Sequence, residues 1–195
     1  MKYLWRSVIG VIIVVFVGAA LCYTVLPSIV SYALSKRAEV KVSVAGITLS
    51  SSDIKIKNLY IGNPSHSILP KALQVEEINV DVPINHFFKK KIVIPNLELD
   101  DLYIGLEFNS KKDHNGNWTF IMKNLSDSDS SSSKKSDTEI LIKKLKLTNL
   151  EVAIVYKTEP KKIQKVKIPS LEFTDVSSKG GIPSAQITQL VMRQA

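Results

Sequence analysis

Residues 97–105 read Leu97-Glu98-Leu99-Asp100-Asp101-Leu102-Tyr103-Ile104-Gly105. The same form occurs about 43 residues earlier as Ile54-Lys55-Ile56-Lys57-Asn58-Leu59-Tyr60-Ile61-Gly62. A weaker copy, Leu145-Lys146-Leu147-Thr148-Asn149-Leu150-Glu151-Val152-Ala153, follows about 48 residues later. The shared form is apolar-x-apolar-x-polar-Leu-x-apolar-small. Strict alternation puts the apolar side chains on one face of a strand. Two adjacent polar residues then shift the alternation by one position, at the same place in each copy. A repeated phase shift predicts a recurring bulge or corner in a sheet built by adding similar strands. Chance likeness among amphipathic strands is the competing explanation.

Outward from these copies the period of two continues. Val40, Val42 and Val44 alternate with polar residues, and the phase shifts at Ala45-Gly46 before Ile47 and Leu49. Ile78, Val80, Val82 and Ile84 form a set, as do Ile92-Ile94, Leu102-Ile104-Leu106-Phe108 and Trp118-Phe120-Met122. Ile140-Ile142, Leu150-Val152-Ile154-Tyr156, Val166-Ile168 and Leu171-Phe173 follow. The alternate positions are mostly Lys, Glu, Asp, Asn, Ser and Thr, the pattern of strands with one apolar and one wet face. About ten strands are expected. Residues 110–117, SKKDHNGN, contain Asn-Gly and read as a turn. Residues 125–138, LSDSDSSSSKKSDT, lack apolar anchors and read as a flexible linker or long loop. At the end, Pro183 and Ser184 precede Ile187, Leu190 and Val191, which fit one face of a short C-terminal helix.

The N-terminus is different in kind. No charged residue lies between Arg6 and Lys36, and the run from Val8 to Leu26 is almost wholly apolar. As a helix it matches a hydrocarbon core of about 30 Å. Val8, Ile12, Val15, Phe16, Leu21 and Leu26 would form the membrane anchor. Pro27 marks a kink or the lower end of the span, with 29–34 continuing at the interface. A cleavable signal peptide is the alternative, with Gly18-Ala19-Ala20 as its cleavage site. The apolar stretch runs past Ala20 and favours a retained anchor. Lys2 and Arg6 favour a cytoplasmic N-terminus, which places the following domain outside the cytoplasm. The expected organisation is a membrane anchor over 1–36, a β-rich lobe over 37–124, the linker over 125–138, and a continuing sheet with a short helix over 139–195.

The net charge is +8, but the lysines are dispersed and resemble a solvated face more than a nucleic-acid arm. The only cysteine, Cys22, lies in the apolar run, so the remainder can form neither an internal disulfide nor a cysteine zinc site. His66, His86 and His114 are isolated and sit in or beside turns. Glu76-Glu77 and Asp100-Asp101 are neighbours on strands and are expected to point to opposite faces, which makes poor acid/base pairs. Asp127 and Asp129 lack the rest of a calcium loop. No phosphate loop or nucleophile elbow occurs. The expectation is a protein that is not an enzyme and uses no cofactor. The long apolar face must be buried against a second sheet, against itself, or against a foreign apolar partner such as lipid acyl chains.

These residues resemble the start of AsmA-like envelope proteins. The resemblance rests on the apolar N-terminal helix, the Val-x-Val strands, IKIKNLYIGNP at 54–64 and VEEINVDVPI at 75–84. It continues through the basic turn Lys89-Lys90-Lys91, IVIPNLELDDLYIGLEF at 92–108 and the Gly116-Asn117-Trp118 step. It covers about residues 1–125, and extends over 139–173 as strand grammar alone. The resemblance implies a mainly β protein with one N-terminal transmembrane helix. A curved, twisted, antiparallel-rich sheet would follow, shaped as a groove or taco. It also implies a role in phospholipid movement or outer-membrane assembly, with no catalytic residues to carry over. The expected location is the bacterial inner membrane, single-pass, with most of the chain periplasmic. Expected partners are the membrane, phospholipid acyl chains and other envelope proteins, and no nucleic acid. Candidate lipid-facing groove residues are Ile78, Val80, Val82, Leu102, Ile104, Leu106, Val152 and Ile154. A membrane-tethered interaction module with a closed core is the alternative.

Overall fold

The computed structural model describes residues 25–83, 91–127 and 139–177. A helix, α1, occupies 25–38. Strands β1 (Val42–Ser43), β2 (Gly46–Leu49), β3 (Asp53–Gly62), β4 (Lys71–Asp81) and β5 (Lys91–Phe108) follow. Helix α2 (Asn117–Asp127) precedes β6 (Glu139–Tyr156) and β7 (Gln164–Ser177). All seven strands form one sheet in the order β1-β3-β4-β5-β6-β7, with β2 also on β3. β1 and β2 share one lane, since they pair with different halves of β3. Every pair is antiparallel except β5–β6, which is parallel. A parallel pair needs a long crossover, and the segment carrying α2 supplies it.

Among the described residues the sheet is therefore narrower than ten strands. The sets Ile92-Ile94, Leu97-Leu99 and Leu102–Phe108 are one 18-residue strand, and so is the whole of 139–156. Within these strands the phase shifts fall in rows. Asn58, Asp101 and Asn149, the polar residues at one point of the three sequence copies, have φ of 50°, 48° and 49°. Asn and Asp enter this left-handed region more readily than other side-chain-bearing residues. Pairing skips the same row in each ladder. Lys57↔Glu77 and Leu59↔Val75 flank Asn58, and Thr148↔Ser170 and Leu150↔Ile168 flank Asn149. The row thus runs Asn58, Glu76, Asp101, Asn149, Pro169 across five strands. A second row lies six residues away along the chains. Ile94↔Ile142 and Asn96↔Lys144 skip Pro95 and Lys143, and Lys143 in turn stands opposite Asp175, whose φ is 53°.

Each break keeps the apolar side chains on one face. In β5 the sequence steps from Ile94 to Leu97 and from Leu99 to Leu102, and all four belong to linked apolar clusters on that face. This reverses one expectation. Asp100 and Asp101 sit between Leu99 and Leu102, and Glu76 and Glu77 between Val75 and Ile78. Both members of each pair therefore lie off the apolar face.

One end of the sheet is covered by helices. Leu34 and Ala38 of α1, Val40 and Val42, and Trp118, Ile121 and Leu125 of α2 form one cluster. Trp118-Phe120-Met122 is helical, not a strand. Positions 118, 121 and 125 make the inward stripe, while Phe120 and Met122 are 40% and 46% exposed. Asn117, the first helical residue, accepts the Trp118 backbone N–H at 2.9 Å, one of the free donors of the first turn. On the far edge, Ser31 and Ser35, one turn apart on α1, bond the outer side of β1. The Val44 N–H donates to Ser31 Oγ at 2.9 Å and the Val42 N–H to Ser35 Oγ at 2.8 Å. Ser35 Oγ returns a bond to the Val42 carbonyl at 3.0 Å.

The anchor residues Val8, Ile12, Val15, Phe16 and Leu21 lie outside the described residues, as do His86, Asp129 and the helix expected near 183–195. Leu26 is half-buried in α1. No described helix is long and apolar enough to cross a membrane.

Candidate functional site

The dominant surface is the apolar face of the sheet. Its cluster centres on Val75, Ile78, Leu102, Leu145, Leu147, Leu150, Val152, Ile154 and Ile168. Around it lie half-buried Leu73, Val80, Leu97, Leu99, Ile104, Leu106 and Ile142, together with Phe108 and Tyr156. Register brings the candidate groove residues together. Ile104 pairs with Val152 and Leu106 with Ile154 across β5–β6. Val75 pairs with Leu102, Ile78 with Leu99, and Val80 with Leu97 across β4–β5.

Burial divides the eight candidates. Ile78, Leu102, Val152 and Ile154 are buried within the main cluster, and Val82 is buried with Ile92 and Ile94. Val80, Ile104 and Leu106 are half-buried. Three residues that the periodicity displays just as clearly, Leu97, Leu99 and Ile142, share that half-buried rim. Phe108 and Tyr156 stack at one end, with ring centres 5.9 Å apart and planes tilted by 32°.

The opposite face is polar and cross-linked by charge. Lys146 reaches Glu98 at 3.4 Å, Lys144 reaches Glu172 at 3.1 Å, and Glu151 lies 3.6 Å from both Lys165 and Lys167. An open cleft of about 420 Å³ on this side is lined by Lys71, Gln74, Tyr103, Glu151 and Lys165. The Lys71 ammonium sits 4.5 Å from the centre of the Tyr103 ring. Burial, and after it the charge of Glu151, hold the Tyr103 phenol above its ordinary value.

Near α2 the polar side is closed by the loop over 63–70. Leu69 packs on Ala153 and Val155. The organiser is Glu107, 1% exposed, whose Oε2 accepts the Ile68 N–H at 2.7 Å and the Leu69 N–H at 3.3 Å. Asn117, 4% exposed, fixes the rest. Its Oδ1 accepts the Glu107 N–H at 3.0 Å, and its Nδ2 donates to the Gly105 carbonyl at 2.9 Å and to Asn63 Oδ1 at 2.7 Å. The Trp118 indole N–H donates to the same Gly105 carbonyl at 2.9 Å. Gly116 is required because a Cβ there would lie 1.6 Å from the Glu107 carbonyl oxygen. Every residue of the Gly116-Asn117-Trp118 step is thus explained by a structural contact. Glu107 itself gave no sequence signal, because alternation placed it on a wet face.

His66 is exposed in a turn, and His114 is exposed with its ring edge against Phe108 at 5.9 Å. Asp100 accepts a hydrogen bond from Thr148 Oγ1. Among the described residues, no group of three or more His, Cys, Asp or Glu is placed to hold a metal ion.

Comparison with known proteins gives one result. The family model described as the AsmA family matches residues 1–190. No match to a curated protein or to a solved structure was found. The family is generally associated with the cell envelope. The repeated break rows and the Gly116-Asn117-Trp118 knot lie inside the matched span, and the chain belongs to the AsmA family.

Proposed function

We propose that this chain is a non-enzymatic, membrane-anchored envelope protein whose bent apolar face shelters phospholipid acyl chains, in phospholipid handling or outer-membrane assembly. The observation that carries this reading is the continuity of the apolar face through two break rows. A left-handed residue inside a strand bends it. Two rows, running across neighbouring strands, fold the sheet about its apolar side into a trough. The complete burial of Val152 and Ile154 supports such a bend, since α1 and α2 pack on a different cluster. The buried part of β6 around Val152 and Ile154 then forms the floor, and half-buried Leu97, Leu99, Ile104 and Leu106 of β5 form a wall an acyl chain would touch. Each methylene removed from water contributes about 0.8 kcal/mol.

The tether has its own support. Val25, Ile29 and Tyr32 are exposed on α1 at 47%, 59% and 71%. Their spacing makes one stripe of the helix, opposite the side that carries Leu34 and Ala38 into the cluster with α2. An apolar stripe directly after an uncharged apolar run suits the interface of a bilayer. The proposed location is the bacterial inner membrane, with the sheet in the periplasm. Lipid and other envelope proteins are the proposed partners.

Native mass spectrometry of the detergent-extracted protein tests this reading. Wild type is expected to carry phospholipid, and Ile104→Asp, on the half-buried wall, is expected to lose it while retaining the β spectrum. A folded Ile104→Asp variant with undiminished lipid would overturn the groove assignment. It would leave the alternative, a tethered interaction module with a closed core.

A further inference from the structure

The left-handed residues of the first break row also shape the polar face, where they line two adjoining clefts. Asp101 and Asn149 line the cleft of about 420 Å³ described above, with Gln74, Tyr103 and Glu151. Asn58 lines a second cleft of about 360 Å³, with Lys41, Ser43, Tyr60 and the same Gln74. One row of strand partners runs through both, Ser43↔Tyr60↔Gln74↔Tyr103↔Glu151. It crosses four strand spacings, roughly 19 Å at about 4.8 Å each. Side-chain-bearing residues held at positive φ gather where a strand re-aims its groups at a ligand.

The groups aimed into these clefts are unused within the chain. Elsewhere on this face Lys146 pairs with Glu98, Lys144 with Glu172 and Lys143 with Asp175, and Thr148 donates to Asp100. Among the described residues, the side chains of Asn58, Asp101 and Asn149 make no hydrogen bond or ion pair, and the Tyr103 hydroxyl makes no hydrogen bond. Gln74 Oε1 accepts from the Lys71 ammonium, which fixes that amide between the two clefts.

We propose that the two clefts bind an extended, uncharged glycan laid across β1 and β3 to β6. The lining chemistry selects this class. Amides, a carboxylate and phenols offer donors and acceptors together, which suits a ring of hydroxyls. Exposed Pro70 and Ile163, the latter 44% exposed, supply apolar surface for the C–H side of a sugar. Charge is balanced in the first cleft, Lys71 and Lys165 against Asp101 and Glu151, and Lys41 is the one charged lining residue of the second. A polyanion would call for an excess of positive charge. A metal ion would call for a carboxylate cluster, and none occurs among the described residues. The row is longer than one sugar ring, which favours a chain. The source is a polysaccharide and not a lipid headgroup, because the clefts open on the face away from the apolar cluster where acyl chains would lie. The proposal does not depend on lipid binding.

NMR titration of the full-length protein, in a detergent without a sugar headgroup, tests it with cellotetraose, maltotetraose and chitotetraose as probes. At least one is expected to bind saturably and severalfold more tightly than its monosaccharide, with amide shifts centred on Gln74, Tyr103 and Asn149. Raising salt from about 0.1 M to about 0.5 M is expected to change the affinity by less than about two-fold, since the ligand carries no charge to screen. Asn149→Gly keeps the left-handed backbone and removes the amide. It and Gln74→Ala are each expected to weaken binding by about five-fold, the loss of one or two hydrogen bonds. Glu172→Gln, on the polar face outside both clefts, is expected to bind as wild type does, and circular dichroism checks that each variant keeps its sheet. The proposal is overturned if none of the three sugars binds saturably, or if the shifts centre on Glu172 or elsewhere outside the clefts. It is also overturned if both folded cleft variants bind as wild type does.

Discussion

Asp101 and Asn149 occupy equivalent places in the parallel β5–β6 ladder, between Leu99↔Leu147 and Tyr103↔Glu151, and both are left-handed, with φ of 48° and 49°. Two adjacent strands break at one level, and β3 breaks at the same level through Asn58. If these residues were merely tolerated irregularities, their alignment would be accidental. If they set the bend, side chains that resist positive φ must cost stability. Asn149→Val is expected to lower stability by about 1–2 kcal/mol, and Asn149→Gly to stay within about 1 kcal/mol of wild type. Urea unfolding of the two variants checks the contrast, because both lose the same amide and differ in backbone freedom.

The knot at the other end makes a separate prediction. Asn117→Ala leaves the buried Glu107 N–H without its acceptor, and is expected to cost about 1–3 kcal/mol. Trp118→Phe removes one of two donors to the Gly105 carbonyl, which keeps its bond from Asn117. Its cost is expected to be smaller. Gly116→Ala, which drives a Cβ into the Glu107 backbone, is expected to be the worst of the three. Thermal melts of all three variants give the order.

Some of this was legible in the sequence, and the reasons are physical. The break at Asp101 announces itself because two polar residues interrupt alternation and recur in three copies. The break at Pro95 does not, since Ile94 and Leu97 read equally well as the end of one strand and the start of another. Helix α2 was hidden by Trp118, Phe120 and Met122, whose even spacing imitates a strand. Its inward stripe runs through Ile121 and Leu125 instead. The candidate groove residues could be assigned to a face by parity, but parity is silent on depth. Val152 and Ile104 are direct partners, yet one is sealed and the other half-open. Glu107 was unreadable because its burial depends on Ile68 and Leu69, almost forty positions away.

Tyr103 supplies a pH dependence. Its phenol is held above 10.0 by burial and then by Glu151. In the unfolded chain the phenol ionises near the ordinary value, while in the fold it stays neutral to higher pH. Its contribution is therefore fully present below about pH 10 and is lost as pH rises towards the folded value. Tyr103→Phe is expected to flatten this alkaline loss in stability. Glu151→Gln is expected to lower the phenol's titration point without restoring it fully, because burial is the larger cause. Absorbance titration of the phenolate, with stability measured on either side of pH 10, checks both.

The central claim is that acyl chains lie against the half-open wall of the apolar face, and photo-crosslinking at single positions tests it most directly. A photoreactive residue at Leu106, on the wall, is expected to capture phospholipid acyl chains when the full-length protein is held in a phospholipid bilayer. The same residue at Lys55, on the polar side, is expected to capture little. Equal capture at the two positions, or capture at Lys55 alone, would contradict the account.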